Sequence, residues 1–352
     1  MDPAKTLLVF DIHNMINGIG IFIPNRNRFL LIINYLRALS IIAMTIFISL
    51  DSYLKKLSHK TKARRFWTFI MLASNSSVII YFIVIYLIRK KICFFIQTQF
   101  RYIEKKQALK IKRISIVLSL FLIVFTIIMK WRLFYTYFVH YKFESEWFLF
   151  FFLRVIVDFK VNVFKHGLIL ITLLISISFY CHQKLLLRLF SQLNRDKKVN
   201  VHLFLKTILF IEKNMKFVNS IIGPIILIIS IALYVYPVCL MYIIFHFTKG
   251  DILSIIHYVI FVIGYIVVII LSQKLTSSLN SIRSEILDLI LLDVNGFEQT
   301  NAHLSFIINA LKKENLFTLT AMDVFNLDYN MLICFLGSLI QICVLFCQLI
   351  IT

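Results

Sequence analysis

Glycine and proline are scarce in this chain, at 8 and 4 of 352 residues. A membrane barrel needs many turns between short alternating segments, so that scarcity argues against one. Acidic residues are few as well: 17 Asp and Glu stand against 38 Lys and Arg, a formal net charge of +21. Charged residues of both signs make up 16% of the chain, against about 25% in soluble domains. So little polar surface cannot coat a water-soluble globule, which excludes a cytosolic enzyme and a disordered basic tail. The six cysteines (Cys93, Cys181, Cys239, Cys334, Cys343 and Cys347) include no Cys-x-x-Cys pair. A disulfide framework or a zinc site is therefore not expected. No signal peptide is expected either, because the run Leu7–Phe10 is too short and is followed at once by Asp11 and His13. Nothing resembles a nucleophile–base pair, a phosphate-cradling glycine loop or a paired-carboxylate site. No enzyme activity, cofactor or metal is expected.

What the chain does have is apolar residues: 60% of the total, including 35 Phe, with a mean hydropathy of +0.87. The basic residues sit in short clusters between long apolar runs rather than on one amphipathic face, so nucleic acid is not the expected partner. Lipid is. A helix needs about 20 mostly apolar residues to cross the hydrocarbon core. Seven stretches qualify, predicting an all-α integral membrane protein: Phe29–Leu50, Phe66–Ile88, Ile114–Tyr135, His166–Leu187, Ser220–Phe245, Ile252–Gln273 and Tyr329–Ile351. In the fourth, apolar residues begin at Trp147, but Arg154, Asp158, Lys160 and Lys165 interrupt them before the clean run. One long helix is expected there, with its first turns outside the bilayer or lining a wet cavity.

Basic residues concentrate on the side shared by the N-terminus and the even-numbered loops. Examples are Arg89–Lys91 and Lys105–Arg113 in the second loop, and Lys184, Arg188 and Arg195–Lys198 in the fourth. The positive-inside bias then predicts a cytosolic N-terminus and an extracellular C-terminus. The first loop, with Lys55, Lys56, Lys60, Lys62, Arg64 and Arg65, runs against the bias. Residues 1–28 become a cytosolic segment, 29–273 spans one to six, 274–328 cytosolic anchor helices, and 329–352 the last span. Within 274–328, Leu275, Leu279, Ile282, Ile286 and Leu289 predict a helical continuation of span six, and Leu304, Ile307, Ile308 and Leu311 a second short helix. Leu203, Ile208, Ile211 and Met215 predict the same kind of extension before span five. Pro224 and Pro237 are candidate kinks within that span.

In the last span, Gln341 and Gln348 lie seven residues apart and share a face, with Val344 and Leu345 between them. Several copies around an axis would turn this stripe toward a water-filled pore, where Leu345 could close the path by dewetting. The same amides would also suit hydrogen bonds to neighbouring helices within one bundle.

The run Phe317-Thr318-Leu319-Thr320-Ala321-Met322-Asp323-Val324-Phe325-Asn326-Leu327-Asp328, leading into the last span, resembles the C-terminal signature of insect gustatory receptors. That signature carries a TYhhhhhQF pattern. Here Gln341 and Ile342 stand for the Thr-Tyr, Cys343–Cys347 supply the apolar five, and Gln348 and Leu349 close it. The resemblance implies a tetrameric, ligand-gated cation channel of the plasma membrane, related to odorant receptors. Last helices would line its pore, cytosolic helices would form its anchor, and no cofactor would be needed. On this resemblance Gln348 is the pore glutamine and Leu345 the apolar residue a turn before it. The sugar-receptor subgroup carries a Glu in the motif and none occurs here, which implies a bitter or unassigned small-molecule tastant. Homo- or hetero-tetramers with related receptors are implied partners.

A ligand would enter the outer half of spans two to six, where Asn75, Trp131, Tyr135, Arg154, Asp158, Tyr236 and His257 are candidates. Each also has a structural reading. Arg154 and Asp158 are spaced to pair with one another, Trp131 and Tyr135 sit where interfacial aromatics anchor a span, and His257 suits simple packing. The alternatives are a secondary transporter, which would need paired intramembrane charges and broken helices, and a G-protein-coupled-type receptor of opposite orientation.

Overall fold

The computed structural model describes residues 62–99, 145–195, 201–246, 252–292 and 317–351, with isolated positions within 36–50, 103–131 and 305–312. Five long helices make up most of this: α1 (Lys62–Gln99), α2 (Ser145–Arg195), α3 (Val201–His246), α4 (Ile252–Leu292) and α5 (Tyr329–Ile351). They coincide with the predicted spans two, four, five, six and seven. Described positions from 36 to 50 and from 106 to 131, in or near the first and third predicted spans, are helical as well. By length and apolarity Gly167–Ser191, Leu205–Val235 and Tyr258–Leu291 are candidate membrane spans, and Tyr329–Ile342 is a shorter apolar helix. The chain is all-helical in these regions and of the multi-pass membrane type.

Helix directions follow from which residues touch. Tyr81 of α1 meets Phe164 of α2 edge-on at 5.6 Å, and Phe164 stacks on Phe261 of α4 at 6.0 Å. Gly167 lies in the same layer: a Cβ there would fall 2.6 Å from the Tyr81 hydroxyl and 3.0 Å from Ile229 of α3. Only glycine fits. Farther along, Gln99 of α1 and His182 of α2 both hydrogen-bond Asn214 of α3. From the aromatic layer to this polar one is 18 residues along both α1 and α2, roughly 27 Å at 1.5 Å per residue. Helices α1, α2 and α4 therefore run one way and α3 the other. Helix α5 runs with α3, since Asn219 faces Thr318 at one end and Tyr234 faces Phe335 farther up.

The core is a three-layer packing of α2 on α4, α3 on α1 and α2 on α3, with Ile171, Ile211, Ile225, Val268 and Leu279 fully buried. Outward faces stay apolar. On α1 Ile80, Ile83 and Leu87 are exposed, and Lys90 and Lys91 follow them. On α4 Ile256, Val259, Ile263, Val267 and Ile270 form an exposed stripe that ends at Lys274. Exposed apolar stripes this long need a nonpolar solvent.

The fourth predicted span, His166–Leu187, nearly coincides with Gly167–Ser191, which is long and apolar enough to cross a membrane. Leu87 and Ile270 lie about six and nine residues past the Tyr81–Phe164–Phe261 layer, which corresponds to about Leu170–Leu173 on α2. The apolar run predicted as His166–Leu187 therefore continues roughly 14 to 17 residues past that level along α2. Much of its far half packs against protein, with Ile177, Cys181, Leu186 and Leu189 buried, while Leu187 is exposed. As expected, α2 is one long helix beginning well before the clean run, here at Ser145.

The predicted extensions are present. Helix α4 continues to Leu292 with Leu275, Leu279 and Ile286 buried; Ile290 is buried, while Ile282 and Leu289 are only partly so. Helix α3 starts at Val201 and buries Ile208, Ile211 and Met215. It runs unbroken through Pro224 and Pro237. Described positions 305–312 are helical, and Leu311 is buried.

Candidate functional site: the last helix and its clasp

Helix α5 begins after Asp328, whose Oδ1 accepts the Met331 N–H at 2.9 Å and so caps the first turn. One face of the helix packs inward. Phe335 is 1% exposed and sits between Tyr234 of α3 at 5.3 Å and Tyr265 of α4 at 5.2 Å. Tyr265 in turn hydrogen-bonds Ser230 of α3 at 2.5 Å, and its hydroxyl lies 3.9 Å from the Met331 sulfur. Among the described residues the opposite face is exposed. Ile333, Ile340, Gln341, Val344, Leu345 and Gln348 are all exposed, and a Cβ at Gly337 would find no atom within 4 Å. The four candidate pore residues thus lie together on the outward half of α5, away from the bundle.

The ligand candidates, Trp131 apart, have side chains outside the described residues. Asn75 lies in α1, Arg154 and Asp158 in α2, Tyr236 in α3 and His257 in α4. Tyr135 lies outside the described residues altogether. Trp131 is 68% exposed at a helical position. Among the described residues no group of three or more His, Cys, Asp or Glu is placed to hold a metal ion.

Two features carry no obvious sequence signal. The first is a buried polar chain joining three helices. Gln99 Nε2 donates to Asn214 Oδ1 at 2.8 Å, Asn214 Nδ2 donates to His182 Nε2 at 2.7 Å, and His182 Nδ1 meets Ser178 Oγ at 3.2 Å. Ser178 Oγ donates onward to the Met215 sulfur at 3.8 Å. Each donor finds an acceptor only if the imidazole is neutral with its proton on Nδ1. Buried polar groups cost stability unless paired, so the chain fixes α1, α2 and α3 in one register. Asn214→Ala orphans His182 Nε2 and the Gln99 amide at once. It is expected to cost about 2 kcal/mol, seen as a lowered thermal unfolding midpoint of the purified protein; an unchanged midpoint would show that the network clamps nothing.

The second feature is a hairpin over 319–327, just before α5. Thr320 and Asn326 form an antiparallel bridge, flanked by hydrogen bonds from Leu327 N to Leu319 O and from Ala321 N to Phe325 O, each 2.9 Å. Its tip closes with Val324 N donating to Ala321 O at 3.0 Å, through Met322 and Asp323 at φ 54° and 59°. Two successive left-handed residues mark a type I′ turn, which normally takes Asn or Gly. Phe317, Leu319, Ala321 and Leu327 are buried beneath it.

No family model matches this sequence, and no curated protein matches it. Its structure is similar to that of the insect olfactory receptor OR5 from Machilis hrabei, with a TM-score of 0.70 at 11% identity, covering 97% of each chain. It is also similar to the same receptor in complex with eugenol, with a TM-score of 0.66 at 12% identity over 98% of each chain. The residues that suggested an insect chemoreceptor thus sit in a chain which, along nearly its whole length, has the fold of an insect olfactory receptor.

Proposed function

We propose that this chain is a gustatory member of the insect chemoreceptor superfamily, a ligand-gated cation channel opened by a small organic tastant. The observation that carries the reading is the two-sidedness of α5. Phe335 anchors one face, while the other leaves Gln341, Val344, Leu345 and Gln348 outward. An exposed helix face that carries two amides beside Val344 and Leu345 suits a surface shared between subunits. Four such helices around an axis give those amides water, and place Leu345 where an apolar ring excludes it. The olfactory-receptor fold and the gustatory signature at 317–349 support the same assignment. A small-molecule ligand is in keeping with the eugenol complex of the structural neighbour.

On this reading the N-terminus is cytosolic, the C-terminus extracellular and the membrane the plasma membrane. The chain has seven spans, the ligand enters the outer half of spans two to six, the segment 274–328 contributes to the cytosolic anchor, and subunits assemble as homo- or hetero-tetramers. The tastant is bitter or unassigned rather than a sugar. It opens the pore by binding the open arrangement more tightly than the closed one. Whole-cell recording with a tastant panel tests this. Leu345→Ala is expected to raise current without ligand, and Gln348→Ala to change relative ion permeability severalfold. Currents identical to the parent in both variants, or a C-terminal epitope stained only after permeabilisation, would rule the assignment out.

A further inference from the structure

We propose that the 319–327 hairpin is a clasp through which α3 and α4 set the position of α5. Its bearing on gating rests on the channel reading above; the mechanical coupling does not. Three contacts from two helices grip the hairpin and the residues leading into it. Asn219 of α3 donates through Nδ2 to Thr318 O at 3.0 Å and accepts the Thr320 N–H at Oδ1, 3.3 Å away. One amide thereby serves the backbone as a neighbouring strand would. Thr276 of α4 donates to Phe317 O at 3.1 Å. One turn along α3, Gly223 lets the hairpin backbone lie against the helix: a Cβ there would stand 2.7 Å from Met322 N and 3.1 Å from Thr320 O.

The hairpin is stiff in itself and short on its far side. The bridge and the tip turn lock it internally, and Thr320 Oγ1 donates to Asp323 Oδ1 at 2.9 Å. Leu327, whose N–H closes the bridge, is followed directly by Asp328, the cap of α5. No slack residue intervenes. Met322 holds a left-handed conformation that side chains other than Gly, Asn and Asp rarely adopt, so the surroundings must impose it. A shift of α3 at Asn219 or Gly223 is therefore delivered to the first turn of α5 instead of being absorbed by a loop. The exposed face of α5 turns with it.

Hydrogen–deuterium exchange on the purified full-length protein in lipid nanodiscs tests the coupling. Asn219→Ala removes two hydrogen bonds. It should speed exchange roughly tenfold in 318–327 and also at the Met331 and Leu332 amides, with α1 unchanged. Thr276→Ala, which removes one bond, should give the same pattern at smaller size. Faster exchange in the hairpin with parental protection at Met331 and Leu332 overturns the clasp. Should Asn219→Ala lose protection throughout, Thr276→Ala decides by the same criterion. Recordings from the same variants separate the two readings. Coupled exchange with no tastant-evoked current in parent or variant overturns the channel reading and leaves the clasp standing. Currents whose tastant sensitivity is unmoved by Asn219→Ala overturn its role in gating.

Discussion

Gln348→Lys is expected to reduce tastant-evoked cation current more than tenfold at equal surface expression. The substitution puts one positive charge per subunit on the outward half of α5. In an assembly that turns this half toward its axis, a permeating cation would pass within a few ångströms of several like charges. Even at the dielectric of water a unit charge at about 5 Å repels by roughly 0.8 kcal/mol, and several together exceed the 1.4 kcal/mol that corresponds to a factor of ten. Folding of the single chain should be little affected, because residue 348 is exposed and Phe335 anchors the helix from its other side. Whole-cell current normalised to surface label gives the answer. Parental current would mean that Gln348 does not face the conduction path.

Phe335→Ala is expected to have the largest effect on stability. Its ring is buried and lies between Tyr234 and Tyr265, where truncation of an aromatic core residue costs about 3–5 kcal/mol. Phe335 is the most enclosed of the described side chains of α5, so that loss falls on the attachment of the last helix. The purified variant should unfold at lower temperature and yield less assembled protein by size-exclusion chromatography. Phe335→Leu keeps most of the volume and should cost less than about 1.5 kcal/mol. A Phe335→Ala protein with the parental midpoint would show that α5 is held chiefly elsewhere.

How much of this could be read beforehand depends on the range of the interactions. Long apolar runs give helices α1, α3, α4 and α5 directly. The period of Leu275, Leu279 and Ile286 gave the extension of α4, since amphipathicity is a local signal. The shared face of Gln341 and Gln348 was legible for the same reason. Phe335 was not singled out, because one more Phe in an apolar helix looks like its neighbours until α3 and α4 close on it. The Gln99–Asn214–His182 chain joins residues 115 and 32 positions apart; three isolated polar residues carry no periodicity. The hairpin was equally hidden. Its tip uses Met322 and Asp323 where Asn-Gly would have announced a turn, and only the resemblance of the whole 317–328 run to a known signature drew notice to it.

Helix α2 has a practical corollary for labelling. Hydropathy would end the fourth span near Leu187 and invite an epitope, fluorophore or protease site just after it. Yet α2 stays helical to Arg195, and Leu189 is 3% exposed. An insertion there would interrupt a helix that still packs on its neighbours, disturbing the His182–Asn214 contact one to two turns earlier instead of only reporting which compartment the segment faces.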